Sequence, residues 1–107
     1  MKPEQQILNS IMDYLAARRI LAFRNNTGAM MSTYKGKTRM MRFGVPGMSD
    51  IVAYPSSCAF NAVYWIEVKA PRGKQSDLQK SFQKQVEEAG HVYLLAFSVD
   101  DVAEALR

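Results

Sequence analysis

Three residues near the middle of the chain have the types and spacing to hold a metal ion: Asp50, Glu67 and Lys69. Asp50 opens the short run Ile51–Tyr54, and Glu67-Val68-Lys69 closes the longer run that starts at Val63. In an extended chain, residues two apart share a face, so Glu67 and Lys69 project together while Val68 turns toward the opposite layer. If the two runs pair as neighbouring strands, the Asp50 and Glu67 carboxylates approach each other at the sheet's edge. Two carboxylates held close repel, and one proton or one cation belongs between them. A hard divalent ion suits oxygen ligands, Mg²⁺ commonly taking one or two carboxylates plus waters and phosphate oxygens. Such an ion acidifies a bound water, and a lysine beside it can orient that water or stabilise developing negative charge. The plainer account of the same tripeptide is an exposed ion pair worth at most ~1 kcal/mol.

The elements that must position these residues are legible in the spacing. Pro3 to Arg18 reads as a helix, with proline in the first turn, Ile7, Ile11 and Leu15 every four residues, and Leu8, Met12 and Tyr14 widening the apolar side. Arg18 and Arg19 set positive charge at its C-terminal end. Ile20–Arg24 reads as a strand ending at the turn residues Asn25-Asn26-Thr27-Gly28. Met30–Tyr34 and Thr38–Phe43 flank Lys35-Gly36-Lys37 as a β-hairpin. With Lys35-Gly36 as the loop, Met31 opposes Met40 and Ser32 opposes Arg39, and one face is expected to be apolar and the other basic. Ser49–Tyr54 and Val63–Val68 are strands. Leu78, Phe82 and Val86 mark a helix over Ser76–Ala89 that Gly90 stops. His91–Phe97 is a strand, and Ser98 caps a last helix over Val99–Leu106 with Asp101 as capping-box partner. A right-handed crossover through the second helix makes Val63–Lys69 and Val92–Ala96 parallel. Early hairpin signals followed by a strand–helix–strand unit give an α/β domain with a mixed sheet.

The chain has 107 residues, a size suited to one domain spanning residues 1–107. Its 48% hydrophobic and 22% charged composition argues against disorder. Cys58 is the only cysteine, which excludes an internal disulfide and suits a reducing, intracellular setting. No apolar run approaches the ~20 residues of a membrane span, and the N-terminal stretch is too polar for a signal peptide. The net charge is +4 and unevenly placed. Between Asp13 and Asp50 there is no acid, while Arg18, Arg19, Arg24, Lys35, Lys37, Arg39 and Arg42 all fall there. A basic block of this kind points to a polyanion. Lys35, Lys37, Arg39, Arg42, Arg72 and Lys74 are candidates for phosphate contact, which positions nucleic acid without reading its sequence.

Other residues have competing accounts. Gln79 stands three after Ser76, where a capping box explains it without chemistry. Glu4 in the first helical turn is favoured there by the dipole alone. Asn25 and Asn26 suit a turn, His91 a satisfied structural position, and the pairs Met30-Met31 and Met40-Met41 a core or subunit interface. Cys58 lacks a base partner and is no nucleophile.

Gly47-Met-Ser-Asp50-Ile followed by Ile66-Glu67-Val68-Lys69 resembles the PD-(D/E)xK nuclease superfamily. More narrowly, the chain is similar to small stand-alone phage and bacterial members of the virus-type replication-repair nuclease (VRR-NUC) family. The likeness also takes in Glu4, Arg24-Asn-Asn-Thr-Gly-Ala29, Arg42-Phe-Gly-Val-Pro-Gly47, Ser76-Asp-Leu-Gln79 with Phe82, and Gly90-His-Val-Tyr. It implies a restriction-endonuclease-like core, a mixed central β-sheet flanked by helices. It further implies Asp50 and Glu67 as metal-binding carboxylates, the Val68 backbone carbonyl as a further ligand, Lys69 as catalytic lysine, Glu4 as an acid ordering the metal site, and Gln79 as a bordering glutamine. The second helix opens Ser-Asp-Leu-Gln where the family pattern has Ser-Pro-x-Gln, a departure that touches only Gln79. The implied activity is a Mg²⁺- or Mn²⁺-dependent DNA endonuclease selective for branched DNA such as a four-way junction. A homodimer in the cytoplasm of a bacterial or phage-infected cell, without membrane or small-molecule cofactor, completes that expectation. Two rival readings are a catalytically silent DNA-binding module of the same fold and a basic interaction protein whose acidic C-terminal end docks a partner.

Overall fold

The computed structural model describes residues 2–25, 29–42, 47–55 and 61–106, with the side chains of 29–32, 34 and 39–42 outside the description. The elements, in order, are α1 (Pro3–Ala17), β1 (Leu21–Arg24), β2 (Ala29–Tyr34), β3 (Lys37–Arg42), β4 (Ile51–Tyr54), β5 (Tyr64–Val68), α2 (Asp77–Glu88), β6 (Val92–Ala96) and α3 (Val99–Ala105). β1, β4, β5 and β6 form one mixed sheet in that order, antiparallel except for the parallel pair β5–β6. Four strands and three helices make this a mixed α/β fold, with β2–β3 as a separate two-stranded sheet. No described helix is long and apolar enough to cross a membrane.

Alternation along β5 divides the sheet's two faces. Ile66 and Val68 join Ile51, Ala53 and Ala96 in a core closed by Leu8, Ile11 and Leu15 of α1 and Val102 of α3. Trp65 and Glu67 face the other way, where α2 covers them. Phe82 of α2 packs edge-on against Trp65 at 5.2 Å and against Tyr93 at 6.5 Å. This aromatic set holds α2 over the end of the sheet that carries Glu67.

Both long helices end in the same C-terminal device with different residues. Ile20 N–H donates to Leu15 and Arg19 N–H to Ala16, while His91 donates to Val86 and Gly90 to Glu87. Such a motif needs one left-handed residue. At α2 it is Gly90, at φ 87°, and at α1 it is Arg19, at φ 59°, where a side chain makes the conformation costly.

The structure refines what the spacing implies. Leu78 is 58% exposed, because the buried stripe of α2 runs through Gln79, Phe82 and Val86, leaving Leu78 off to one side. The hairpin has the expected register, Met31 opposite Met40 and Ser32 opposite Arg39, with Lys35 and Gly36 both at positive φ in its loop. The expected apolar and basic faces rest on side chains that lie outside the described residues. At α3, Ser98 Oγ accepts from Asp101 N–H, but the Asp101 carboxylate accepts from Phe97 N–H, one residue before the expected capping-box partner.

Candidate functional site

The end of the sheet brings together what the sequence separates by seventeen residues. The antiparallel register pairs Ile51 with Ile66, so its next step sets Asp50 opposite Glu67. Asp50 Oδ2 accepts a 2.8 Å hydrogen bond from Val68 N–H, and the Asp50 and Glu67 carboxyl groups lie within hydrogen-bonding reach of each other. An extended residue directs its N–H and C=O to the same side, so the Val68 carbonyl faces the Asp50 side while its side chain is fully buried in the core.

Lys69 Nζ stands 3.6 Å from Glu67 Oε2, with only 13% and 3% of the two side chains exposed. The solvent-face ion pair considered above is therefore not what forms. Gln79 makes a contact on each side of the choice that its spacing left open. Its Oε1 accepts from Ser76 N–H at 2.8 Å, completing the capping box, and its Nε2 donates to Glu67 Oε2 at 3.1 Å. A helix cap thus aims an amide at the acid.

Burial pushes the Glu67 carboxyl up to about 8 from an ordinary value of 4.5; the neighbouring Asp50 charge and hydrogen bond add to this, as does Glu4 more weakly, while Lys69 opposes it. Glu67 Oε1 is buried with no hydrogen-bond donor among the described residues. A buried acceptor without a donor, on a carboxyl beside a second carboxylate, suits a hard cation. Glu4 does not complete a three-acid cluster, and among the described residues no group of three metal-ligating side chains converges. It instead shares a cleft with Asp50. The donor set offered to an ion is two carboxylates and a backbone carbonyl, of the sort Mg²⁺ completes with water.

Several positioning residues escaped sequence reasoning. Asn25 donates from Nδ2 to the Ser49 carbonyl at 3.0 Å and from its backbone to the Asp50 carbonyl at 2.7 Å, tying down the segment that presents the acid. The turn expected after it, at 26–28, lies outside the described residues. Gly47, at φ 84°, lies so close to α2 that an added Cβ would fall 2.4 Å from the Leu78 carbonyl oxygen. The glycine of Gly-x-Ser-Asp is thus a packing requirement, and its signal was the motif itself. Tyr93, whose phenol burial pushes up, accepts from Gln75 Nε2 at 3.1 Å near the acid pair. Gly73 rests against the Lys69 stem, 3.2 Å from its Cβ by the same construction.

Of the six basic candidates, Arg72 and Lys74 are exposed on the turn that follows Lys69, with Arg72 at φ 69°. Lys35 and Lys37 are exposed at the tip of the β2–β3 hairpin, which has no substantial interface with another helix or strand among the described residues. The Arg39 and Arg42 side chains, the methionine pairs, Asn26 and Cys58 lie outside the described residues. His91 is structural, its Nδ1 accepting from Val63 N–H at 2.9 Å. No protein-family model matches the chain, and no curated protein matches it.

Proposed function

We propose that this chain is a divalent-metal-dependent deoxyribonuclease built on the PD-(D/E)xK core and related to the VRR-NUC family. The observation that carries the proposal is the buried Glu67 carboxyl beside the half-buried Asp50, with Lys69 3.6 Å from Glu67 and an acceptor oxygen of Glu67 left without a donor among the described residues. Asp50, Glu67 and the Val68 carbonyl would hold Mg²⁺ or Mn²⁺. A divalent ion, when bound, supplies an acidified water and neutralises phosphate charge. Lys69, packed beside Gly73 and tethered to Glu67, is held where its N–H groups can orient the attacking water and meet charge developing on the phosphate. Gln79 fixes one oxygen of Glu67, and the other, without a donor among the described residues, would be free to hold the ion. Arg72 and Lys74 flank the lysine and suit backbone phosphates, so selectivity belongs to DNA shape, with branched DNA and a homodimer as the forms the resemblance favours.

The test incubates the protein with supercoiled plasmid and a labelled four-way junction, with and without Mg²⁺ or Mn²⁺. Metal-dependent cutting is expected, lost in Asp50→Ala and Lys69→Ala with secondary structure retained. Undiminished cutting by Lys69→Ala removes the lysine's role, and salt-sensitive DNA binding without any product favours the silent binding module.

A further inference from the structure

Beside the acid pair lies a cleft of about 310 Å³, at the small end of ligand-site volumes. One wall is the first turn of α1, with Lys2, Glu4 and Gln5; the other is the adjoining strand ends, with Arg24, Asn25 and Asp50. The cleft is electrically divided. Its acids continue the metal site, whereas Lys2 and Arg24 are exposed cations and neither is ion-paired among the described residues. Arg24 shares its side of β1 with Ala22, which packs toward α1, and this directs the guanidinium to the α1 wall. The α1 N-terminus adds polarity of the same sign, because no side chain caps it. Two unpaired cations and an uncapped helix start, in a recess next to paired carboxylates, match an anion bridged to a metal site.

We infer that this cleft is a phosphate subsite for a nucleic-acid strand, in which Arg24 and Lys2 hold the phosphate neighbouring the one at the acid pair. The second half of that statement rests on the nuclease reading; the binding itself does not. An arginine's planar fork matches phosphate oxygens bidentately, and a lysine supplies a point charge. Lys2 lies outside the basic block of the sequence and Arg24, though part of it, ends β1 rather than standing on the hairpin, so the strand's path would run along α1 and the start of the sheet.

The test measures fluorescence anisotropy of labelled DNA in EDTA, where cutting cannot intervene, across about 50 to 200 mM salt. Arg24→Gln and Lys2→Gln keep much of each side-chain stem, and thermal melts check that both fold. Each is expected to lower the slope of log affinity against log salt by about 0.9 on duplex or about 0.7 on single strands, the loss of one phosphate contact. Lys84→Ala, whose lysine pairs with Glu88 on α2, leaves the slope unchanged. Wild-type slopes in both glutamine variants, or no DNA binding by the wild type, overturn the inference. Displacement of the labelled DNA by deoxyadenosine monophosphate overturns the strand assignment in favour of a free-nucleotide site. Plasmid cutting with unchanged slopes keeps the nuclease reading and discards the subsite; reduced slopes without cutting do the reverse.

Discussion

Replacing Glu67 by glutamine should erase a pH dependence of stability that the acid pair creates. The folded protein holds the Glu67 proton up to about pH 8, against 4.5 ordinarily, with burial the largest cause and Asp50 the next. The proton is bound more tightly in the folded state, so this contribution is fully present below pH 4.5 and is lost as pH rises through about 8. At about 1.36 kcal/mol per pH unit, that interval sets an upper limit of about 5 kcal/mol. Glu67 interacts with neighbouring charges, so we expect about half of that limit to be expressed. Urea unfolding in EDTA from about pH 5 to about pH 8 reads this as a fall in midpoint of about 1–2 M for the wild type. In Glu67→Gln the side chain keeps its shape and no longer titrates, so the midpoint should stay nearly flat over the same range. Adding Mg²⁺ at the alkaline end should raise the wild-type midpoint, since binding to the folded state alone stabilises it, and leave the variant unmoved. Parallel curves for the two proteins would refute the reasoning, because they would mean that folding does not raise the Glu67 carboxyl.

Gln79→Glu separates the cap from the site. A glutamate still accepts from Ser76 N–H, but it puts a carboxylate where an amide now donates at 3.1 Å to Glu67. Circular dichroism should show α2 retained while metal-dependent cutting falls at least tenfold; full activity would reduce Gln79 to a cap. Gly47→Ala combines a φ of 84° with a Cβ 2.4 Å from the Leu78 carbonyl oxygen, and should lower stability by at least about 2 kcal/mol in urea titrations. Arg19→Gly relieves the left-handed strain at the end of α1 and should add about 0.5–1 kcal/mol, a rise of roughly 2–8 °C in Tm with cutting unchanged.

Much of the architecture was legible in the chain because it depends on local period and local punctuation. The four-residue repeat of Ile7, Ile11 and Leu15 specifies α1, Ser76 and Gly90 bracket α2, and Lys35-Gly36 sets the hairpin register, each through neighbours a few positions away. The pairing of Asp50 with Glu67 was also foreseeable, since a strand that begins with one acid and another that ends with the second must set them at the same end when antiparallel. Leu78 matches the period that marks α2 yet stays exposed, because the docking of Phe82 between Trp65 and Tyr93, which no spacing shows, decides the helix's rotation.

From its order of residues alone, the chain determined which elements form and which acids and lysine they carry to one end of a sheet. The tertiary structure decided how those groups are charged and oriented. Burial under α2 raises Glu67, the reach of Gln79 across to it turns a cap into a tether, and Asn25 anchors Asp50 through contacts 24 or 25 residues apart in sequence. Desolvation and close approach between distant segments have no period along a chain, so they exist only once the layers are packed.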